Sequence, residues 1–229
     1  MADIFKGAPL YLVTDRRLCN GKGFSPLRGF NPFKGLAAAV EEAVSAGVRF
    51  VQLREKDLPA GEMLALAKEL RAATSRRASG GAMLIVNGRL DAALLADADG
   101  VHLGQADFAP KDARSFLAKG KLIGVSTHSL EEAMKAEADG ADYITFGPVC
   151  HTPSKAAFGP PAGFAELKKA ADAVKIPVFA IGGMKRETIK DALAAGAKSV
   201  AVITAILDGN DIGRNVKELM NELNRKELP

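Results

Sequence analysis

Short apolar runs recur along the chain, and most are followed by a stretch with the pattern of a helix. The runs are rich in β-branched residues and Leu and contain few polar residues, which is typical of strands covered on both faces. In the stretches between them apolar residues return at helical spacing, and the last stretch places Ile212, Val216, Leu219, Met220 and Leu223 on one face. The pattern predicts eight strands, at residues 10–14, 48–53, 82–86, 100–103, 122–126, 143–146, 177–181 and 199–203.

Eight strand and helix pairs in 229 residues favour an α/β fold, a single (β/α)8 TIM barrel, with a doubly wound open sheet as the alternative. Gly47, Gly100, Gly140 and Gly196 each stand between a predicted helix and the next strand, so we expect them to be C-caps. Residues 129–132, Ser-Leu-Glu-Glu, form a capping box at the start of the fifth helix. No linker rich in Pro or Ser divides the chain, which predicts one domain over residues 1–229.

Composition narrows the class of protein. Hydrophobic residues make up 48% and charged residues 25% of the chain, as in an ordinary globular protein with a sizeable core. The net charge of +4 would suit an anionic partner, but basic and acidic residues are interspersed and there are two Tyr and no Trp, which argues against nucleic-acid binding. No apolar run is long enough to cross a membrane.

The cysteines and the N-terminus bear on location. Cys19 and Cys150 are far apart and lack the spacing of a zinc site or a disulfide framework. The N-terminus has no basic segment followed by an apolar stretch and a cleavage site. We therefore expect two reduced thiols in a cytoplasmic protein, with a homo-oligomer left open.

Two predicted connections, residues 15–35 and residues 147–163, are longer than the usual loop between a strand and a helix. Both follow the carboxyl end of a predicted strand, which is the catalytic face of a barrel. Each is a candidate lid over an anion, although a solvated excursion would explain the first loop equally well. Their cations are Arg16, Arg17, Lys22, Arg28 and Lys34 in the first loop and Lys155 in the second.

The densest cluster of polar residues lies at the end of the second predicted strand. Gln52, Arg54 and Lys56 arrive together there, next to Glu55 and Asp57. A rigid strand end that presents several donors is suited to an anionic ligand. In a barrel, the polar residues after the other strands would converge on the same mouth, and they are Asn87, Gln105, Asp107, Ser126, His128, residues 150–155, Gly182, Gly183, Ile203 and Thr204.

Two groups of these residues suggest particular ligands. Gly182 and Gly183, with Thr204 at the next strand end, predict a phosphate cradle at the usual phosphate site of the fold. Residues 152–155 add two hydroxyls and an ammonium, which are donors for phosphate oxygens. Asp107 could hold Mg2+ together with substrate phosphates, or it could cap the helix that begins near residue 109.

The three histidines differ in predicted position. His102 alternates with Val101 and Leu103 on the fourth strand, which predicts a histidine in the barrel core that its neighbours satisfy. His128 and His151 lie nearer the mouth and are better candidates for proton transfer, but neither has an obvious orienting carboxylate in the sequence.

Seven segments carry a more specific pattern: Val51-Gln52-Leu53-Arg54-Glu55-Lys56, Ile85-Val86-Asn87, Asp99-Gly100-Val101-His102-Leu103-Gly104-Gln105, Gly124-Val125-Ser126-Thr127-His128, Phe146-Gly147-Pro148, Thr152-Pro153-Ser154-Lys155 and Ile181-Gly182-Gly183. Together they resemble the thiamine-phosphate synthase family, and their order and spacing match it over nearly the whole chain. The family is a TIM barrel. The resemblance implies a transferase that joins hydroxymethylpyrimidine diphosphate to a thiazole phosphate and releases pyrophosphate.

The resemblance also implies roles for particular residues. The pyrimidine diphosphate would bind at Gln52, Leu53, Arg54, Glu55, Lys56, Asn87, Ser126 and Lys155, of which Arg54, Lys56, Ser126 and Lys155 would act in catalysis. The thiazole phosphate would bind at Thr152, Pro153, Ser154, Gly183, Ile203 and Thr204. Both substrates are phosphorylated small molecules, and the implied cofactor is Mg2+ held by Asp107.

One position departs from the family pattern. The family has Asn-Asp after the third strand, with the Asp as a Mg2+ ligand, whereas this chain has Asn87-Gly88. We expect Mg2+ dependence to be retained with a raised metal requirement, and Asp91 or Asp57 could supply the second carboxylate.

The departure leaves two other functions open. A thiazole tautomerase of the same superfamily would need no metal or diphosphate and could use His128 for proton transfer. A non-catalytic phosphate-binding barrel is the third alternative. Under the synthase interpretation, we expect deletion of residues 20–31 to raise the Michaelis constant for the diphosphate substrate, because the loop would act as a lid.

Overall fold

The eight predicted strands form one closed, parallel barrel. The computed structural model describes residues 2–5, 9–19, 32–75, 81–153, 159–209 and 211–225. Its sheet runs β1-β2-β3-β4-β5-β6-β7-β8 and closes by pairing β8 with β1. The (β/α)8 barrel predicted from the sequence is confirmed, and the open sheet is excluded.

The strands lie close to their predicted bounds, and helices follow them on the outside. The strands are β1 Tyr11–Val13, β2 Phe50–Leu53, β3 Met83–Asn87, β4 Gly100–Leu103, β5 Leu122–Thr127, β6 Tyr143–Phe146, β7 Val178–Ile181 and β8 Ser199–Val202. The helices are α1 Pro32–Ala46, α2 Ala60–Thr74, α3 Leu90–Leu95, α4 Pro110–Arg114, α5 Leu130–Ala138, α6 Gly163–Ala173, α7 Arg186–Ala194, α8 Thr204–Leu207 and α9 Ile212–Asn224. Two 3-10 helices cover Ala2–Phe5 and Arg16–Cys19.

Alternation along each strand divides the buried residues into two sets. One set packs between the sheet and the helices, and it includes Leu53 and the buried face of α9. The other set fills the barrel interior and is unusually aromatic, with Tyr11, Phe50, Tyr143 and Phe179. Phe5 joins this inner set from the first 3-10 helix, and its ring stacks on Phe50 with centroids 5.5 Å apart. The centre of the barrel is therefore a packed aromatic core.

The predicted glycine caps are partly correct. Gly47, Gly140 and Gly196 have positive φ just after the ends of α1, α5 and α7, as expected of C-caps. Gly100 is different, because it is the first residue of β4 and Asp97 takes the left-handed conformation after α3. A Cβ at position 100 would lie 2.2 Å from the carbonyl oxygen of Leu122. This glycine is required by close contact between strands and is not a C-cap.

The start of α5 resembles the predicted capping box. The Ser129 hydroxyl accepts a hydrogen bond from the amide of Glu132 at 3.2 Å. The Glu132 carboxylate accepts from the amide of His128 at 2.6 Å, one residue before the N-cap. The reciprocal pair fixes the turn that leads from β5 into the helix.

The long connections are described only in part. The first begins with residues 15–19, and its residues 20–31, to which the lid prediction applies, lie outside the described residues. The second is described at residues 147–153 and 159–163. Among the described helices, none is both long and apolar enough to cross a membrane.

Candidate active site

The carboxyl end of β2 turns its side chains in three directions. Gln52 points into the barrel, where its amide nitrogen donates to the Tyr11 hydroxyl at 2.8 Å. Leu53 points outward into the layer beneath the helices. Arg54 is half-buried and Lys56 is exposed, and neither has an ion-pair partner among the residues that the structure describes. The strand end thus presents two uncommitted cations.

Glu55 is directed away from the substrate side of the mouth. Its side chain is only 3% exposed and accepts from the Thr14 hydroxyl at 2.8 Å and from the Arg16 guanidinium at 2.9 Å. The Thr14 hydroxyl in turn accepts from the amide of Arg54 at 2.9 Å. Glu55 therefore braces the backbone at Arg54, and its carboxylate is already occupied by protein donors.

The first two cations of the long loop are held by carboxylates. Arg16 donates to both oxygens of Asp57, at 2.7 and 2.8 Å, and these bonds lower the pKa of Asp57 to about 2. Arg17 donates to both oxygens of Asp15, and these bonds hold the pKa of Asp15 below its ordinary value. Of the loop cations noted in the sequence, Arg16 is therefore paired with a carboxylate that follows β2, and Arg17 with a carboxylate of its own loop.

The ends of β3 and β4 meet around Asp107. Asn87 ends β3 on the same side of the strand as Ile85, which belongs to the inner core. Asp107 is exposed and accepts from the amide of Gly104 at 2.7 Å. The N-cap of α4 is Ala109, with no side-chain cap, so Asp107 does not cap that helix. Its carboxylate is available at the mouth.

Gly88 faces this carboxylate. A Cβ at position 88 would lie 3.3 Å from Oδ2 of Asp107, so an acidic residue there would place a second carboxylate beside the first. The two substitutes suggested by the sequence are engaged elsewhere. Asp57 is held by Arg16, and Arg89 donates to both oxygens of Asp91 at 2.9 and 2.6 Å. Within the described ranges no cluster of three or more His, Cys, Asp or Glu side chains could hold a metal.

His102 is the buried histidine predicted from the sequence. It is 1% exposed, and burial, with the charge of Arg54 as a smaller cause, lowers its pKa to about 3. Its Nε2 lies 2.9 Å from the hydroxyl of Ser126, and its Nδ1 lies 3.3 Å from the hydroxyl of Tyr143. Ser126 is thus a mouth residue whose hydroxyl contacts the core directly.

His128 has a carboxylate partner that sequence reasoning missed. Its Nδ1 lies 3.0 Å from Oε2 of Glu132, the same oxygen that accepts from its amide. The spacing of four residues at a helix start was the available signal. Because Glu132 also belongs to the cap of α5, the pair is explained by the helix start alone.

The ends of β6 and β7 are joined by backbone hydrogen bonds. The amides of Val149 and Cys150 donate to the carbonyls of Ile181 and Gly182 at 2.9 and 3.0 Å. Gly183 has φ of +65°, and a Cβ there would lie 2.6 Å from the carbonyl oxygen of His151. Glycine is therefore needed for the two loops to run side by side.

This contact brings together two segments of the predicted phosphate site. It places Gly183 against the segment that leads to Thr152 and Pro153. Ile203 and Thr204 follow β8, and Ile203 also packs on the inner core. Ser154 and Lys155 lie outside the described residues.

Comparison with known proteins identifies the family to which this barrel belongs. The sequence model of the family described as thiamine monophosphate synthase matches residues 10–206. A thiamine-phosphate synthase of Methanosarcina barkeri is 38% identical over 98% of this chain and 94% of its own length. That of Clostridium novyi is 39% identical over 93% of this chain and 97% of its own. The chain belongs to the thiamine monophosphate synthase family.

A solved structure agrees with this assignment. The thiamine phosphate pyrophosphorylase of Pyrococcus furiosus superposes with a TM-score of 0.80 at 34% identity, over 96% of this chain and 97% of its own. The activity predicted from the sequence, thiamine-phosphate synthase, is confirmed, and with it the transferase class.

In this thiamine monophosphate synthase, the described mouth gathers cations, amides and hydroxyls at one end of the barrel. The closed barrel brings the carboxyl ends of β2 to β8 to one rim. Among the described site residues, Leu53 and Glu55 turn their side chains away from the mouth. Any contact they make with substrate must therefore come from their backbone groups.

Proposed function

We propose that the protein condenses the pyrimidine diphosphate and the thiazole phosphate at this mouth, with the diphosphate bound between β2, β3 and β5. Arg54 and Lys56 would neutralise the leaving diphosphate, and Lys155 would add a third cation from the loop after β6. Gln52, Asn87 and Ser126 offer neutral polar groups at the floor, suited to a pyrimidine ring. The uncommitted charges of Arg54 and Lys56 at a braced strand end are the observation that carries this proposal.

The thiazole phosphate would bind on the other side of the mouth. Thr152, Pro153 and Ser154 would contact it from the loop after β6, and Gly183 from the loop after β7. Ile203 offers an apolar surface, and the hydroxyl of Thr204 stands at the start of α8. This arrangement follows the usual phosphate position of the fold, after strands seven and eight.

Mg2+ fits the donor set in a restricted way. Asp107 would be its protein ligand, and the diphosphate and water would supply the remaining oxygens, as Mg2+ commonly accepts. The ion would add positive charge beside the leaving group. Because Gly88, opposite Asp107, has no carboxylate to bind the metal, Arg54, Lys56 and Lys155 would neutralise more of the negative charge of the leaving diphosphate.

The chemistry suits the side chains of the site. If the carbon–oxygen bond to diphosphate breaks first, a cation stabilised by the pyrimidine remains and is captured by the thiazole nitrogen. Such a reaction needs charge stabilisation and alignment more than a strong base. His102 fits this requirement, because burial keeps it neutral and it does not need to exchange a proton.

One assay separates this proposal from its two alternatives. The protein is mixed with both substrates and Mg2+, and pyrophosphate, thiamine phosphate and proton exchange on the thiazole are followed. Pyrophosphate released in step with thiamine phosphate supports the synthase. Proton exchange on a thiazole carboxylate phosphate, without diphosphate, would point to the tautomerase, and binding without either reaction to a non-catalytic barrel.

Variants of His128 sharpen the distinction. The synthase proposal gives its imidazole no chemical task, so His128→Asn should retain most pyrophosphate release. A tautomerase would lose its proton-transfer group. Loss of pyrophosphate release in His128→Asn, with folding intact, would contradict the roles assigned above.

The wider setting of the enzyme is proposed on the same basis. Its ligands would be phosphorylated small molecules, it would work in the cytoplasm, and residues 1–229 would form one domain. The two long connections would border the catalytic face, since both start at carboxyl ends of strands.

A further inference from the structure

A line of hydrogen bonds crosses the barrel core from Gln52 to Ser126. The Gln52 amide nitrogen lies 2.8 Å from the Tyr11 hydroxyl, which lies 2.8 Å from the Tyr143 hydroxyl. The Tyr143 hydroxyl lies 3.3 Å from Nδ1 of His102, and Nε2 of His102 lies 2.9 Å from the Ser126 hydroxyl. Both ends of this line are residues proposed to bind the pyrimidine diphosphate.

The core is shaped to keep this line intact. The two tyrosines and His102 are at most 1% exposed, so water does not compete for their bonds. A Cβ at Gly124 would lie 2.2 Å from Cζ of Tyr143 and 2.5 Å from Nδ1 of His102. Glycine at position 124 is therefore what lets the Tyr143 hydroxyl reach the imidazole.

The bonds have a direction, because each hydroxyl has one proton. The amide nitrogen of Gln52 can only donate, so Tyr11 accepts from it, and among the described residues Tyr143 is the hydrogen-bond partner left to accept the Tyr11 proton. Tyr143 then donates to Nδ1 of His102. A neutral imidazole that accepts at Nδ1 carries its proton on Nε2, which faces Ser126.

We infer that Tyr11, Tyr143 and His102 are positioning residues that fix the Ser126 hydroxyl as a hydrogen-bond donor to the substrate. Ser126 accepts from Nε2 of His102, and its own proton is left for a ligand acceptor at the mouth. Thr145, whose hydroxyl lies 3.3 Å from Nε2, is a weaker second acceptor on the same side of the ring. The inference rests on the proposed substrate role of Ser126 and deepens it.

The direction of these hydrogen bonds can be measured without an assay of enzyme activity. The chain has three histidines, so protein labelled with 15N-histidine gives three imidazole signals, and a His128→Asn, His151→Asn variant leaves that of His102. We expect His102 to be neutral from pH 8 to pH 5 with its proton on Nε2. A proton on Nδ1 would reverse the line, make Ser126 the donor to His102, and overturn the inference.

Kinetics test whether the line acts through Ser126. Tyr143→Phe removes the donor to Nδ1 and should lower kcat about tenfold, the size of one hydrogen bond, with KM for both substrates nearly unchanged. Tyr11→Phe is the second variant should Tyr143→Phe fail to fold. Phe179→Leu is the matched control, because its ring packs 5.6 Å from that of Tyr143 without a hydrogen bond. It should lower thermal stability and leave kcat and the tautomer unchanged.

The decisive comparison is a double variant. In a Ser126→Ala background, Tyr143→Phe should cause no further fall in kcat if its effect passes through Ser126. A further tenfold fall, or an equal fall in Phe179→Leu, would overturn the inference. If the wild-type protein forms no thiamine phosphate, the proposed function fails, and the imidazole measurement still decides the direction of the bonds.

Discussion

At the scale of single residues, the mouth separates cations that are available from cations that are already paired. Arg54 and Lys56 form no salt bridge in the described part of the chain, whereas Arg16, Arg17 and Arg89 each donate to at least one Asp. Sequence alone does not make this distinction, because all five are basic residues in strand-end loops. It depends on which carboxylates the fold brings within reach.

Replacement of Arg54 should damage turnover more than replacement of Asp107. We expect Arg54→Ala to lower kcat/KM for the diphosphate substrate about 100-fold or more, because a charge that faces the leaving group is lost. Asp107→Ala should cost about tenfold, since one carboxylate is a small part of a Mg2+ shell filled by phosphates. Steady-state kinetics at saturating Mg2+ give both values. Arg89→Ala is the control: it removes a paired arginine and should have little effect. A larger loss of kcat/KM in Asp107→Ala than in Arg54→Ala would contradict the proposed roles of the two residues.

Gly88→Asp should lower the Mg2+ requirement. The new carboxylate would stand beside Asp107, and we expect the Mg2+ concentration at half-maximal rate to fall about tenfold. Gly88→Asn is the matched control, because Asn also tolerates the left-handed backbone at this position but carries no charge. Equal Mg2+ curves for the Asp and Asn variants would rule out a metal at Asp107.

At the scale of elements, β1 and β2 are tied together at their carboxyl ends. Thr14 and Arg16 from the first connection hold Glu55, and Thr14 also accepts from the amide of Arg54. The start of the long loop and the position of Arg54 therefore depend on one buried carboxylate.

Arg16→Ala should test this link. It leaves Glu55 buried without its cation, so we expect a loss of about 3 kcal/mol in the free energy of unfolding. KM for the diphosphate substrate should rise, because the backbone at Arg54 is less well fixed. Arg17→Ala is the control, since Arg17 is 76% exposed and its loss should change stability by about 0.5 kcal/mol or less. Denaturant unfolding measures both, and equal losses would show that Glu55 does not need Arg16.

The elements were easier to predict than their contacts. All eight strands follow from apolar runs, because strands covered on both faces need little else to be recognised. Gly100 was assigned wrongly, because the same letters, Asp-Gly, serve a helix end at Gly140 and a strand contact at Gly100. The direction of the Glu55 side chain could not be predicted, because the sequence does not reveal which face of a strand end a charged residue takes.

At the scale of the whole molecule, the neutral core histidine links stability to pH. The folded-state pKa of His102 is lowered to about 3, below the ordinary value of about 6.5. Below pH 6.5 the unfolded chain therefore binds more protons at this residue than the folded chain does, so stability falls as pH falls from about 6.5 toward 3.

We expect the wild-type protein to lose about 2 kcal/mol more than His102→Gln in its free energy of unfolding between pH 7 and pH 5. The His102→Gln variant is the reference for the wild-type protein, because all other titrating groups are the same in both. Denaturant unfolding at the two pH values gives the difference. Parallel losses in the two proteins would mean that His102 is protonated in the folded state and that its burial is not maintained.

Phe5 closes the amino-terminal end of the barrel, since its ring packs on Phe50, Tyr143 and Phe179. Two substrates and two products must then share a single entrance. The pyrimidine diphosphate would reach the floor at Gln52 and Ser126, and we expect it to enter before the thiazole phosphate occupies the other side of the same mouth. A shared entrance constrains the order in which substrates bind and products leave, and pyrophosphate must leave through the same mouth. Product-inhibition kinetics should therefore show an ordered binding mechanism. The ring of Phe5, at the end of the barrel opposite the active site, would be its structural cause.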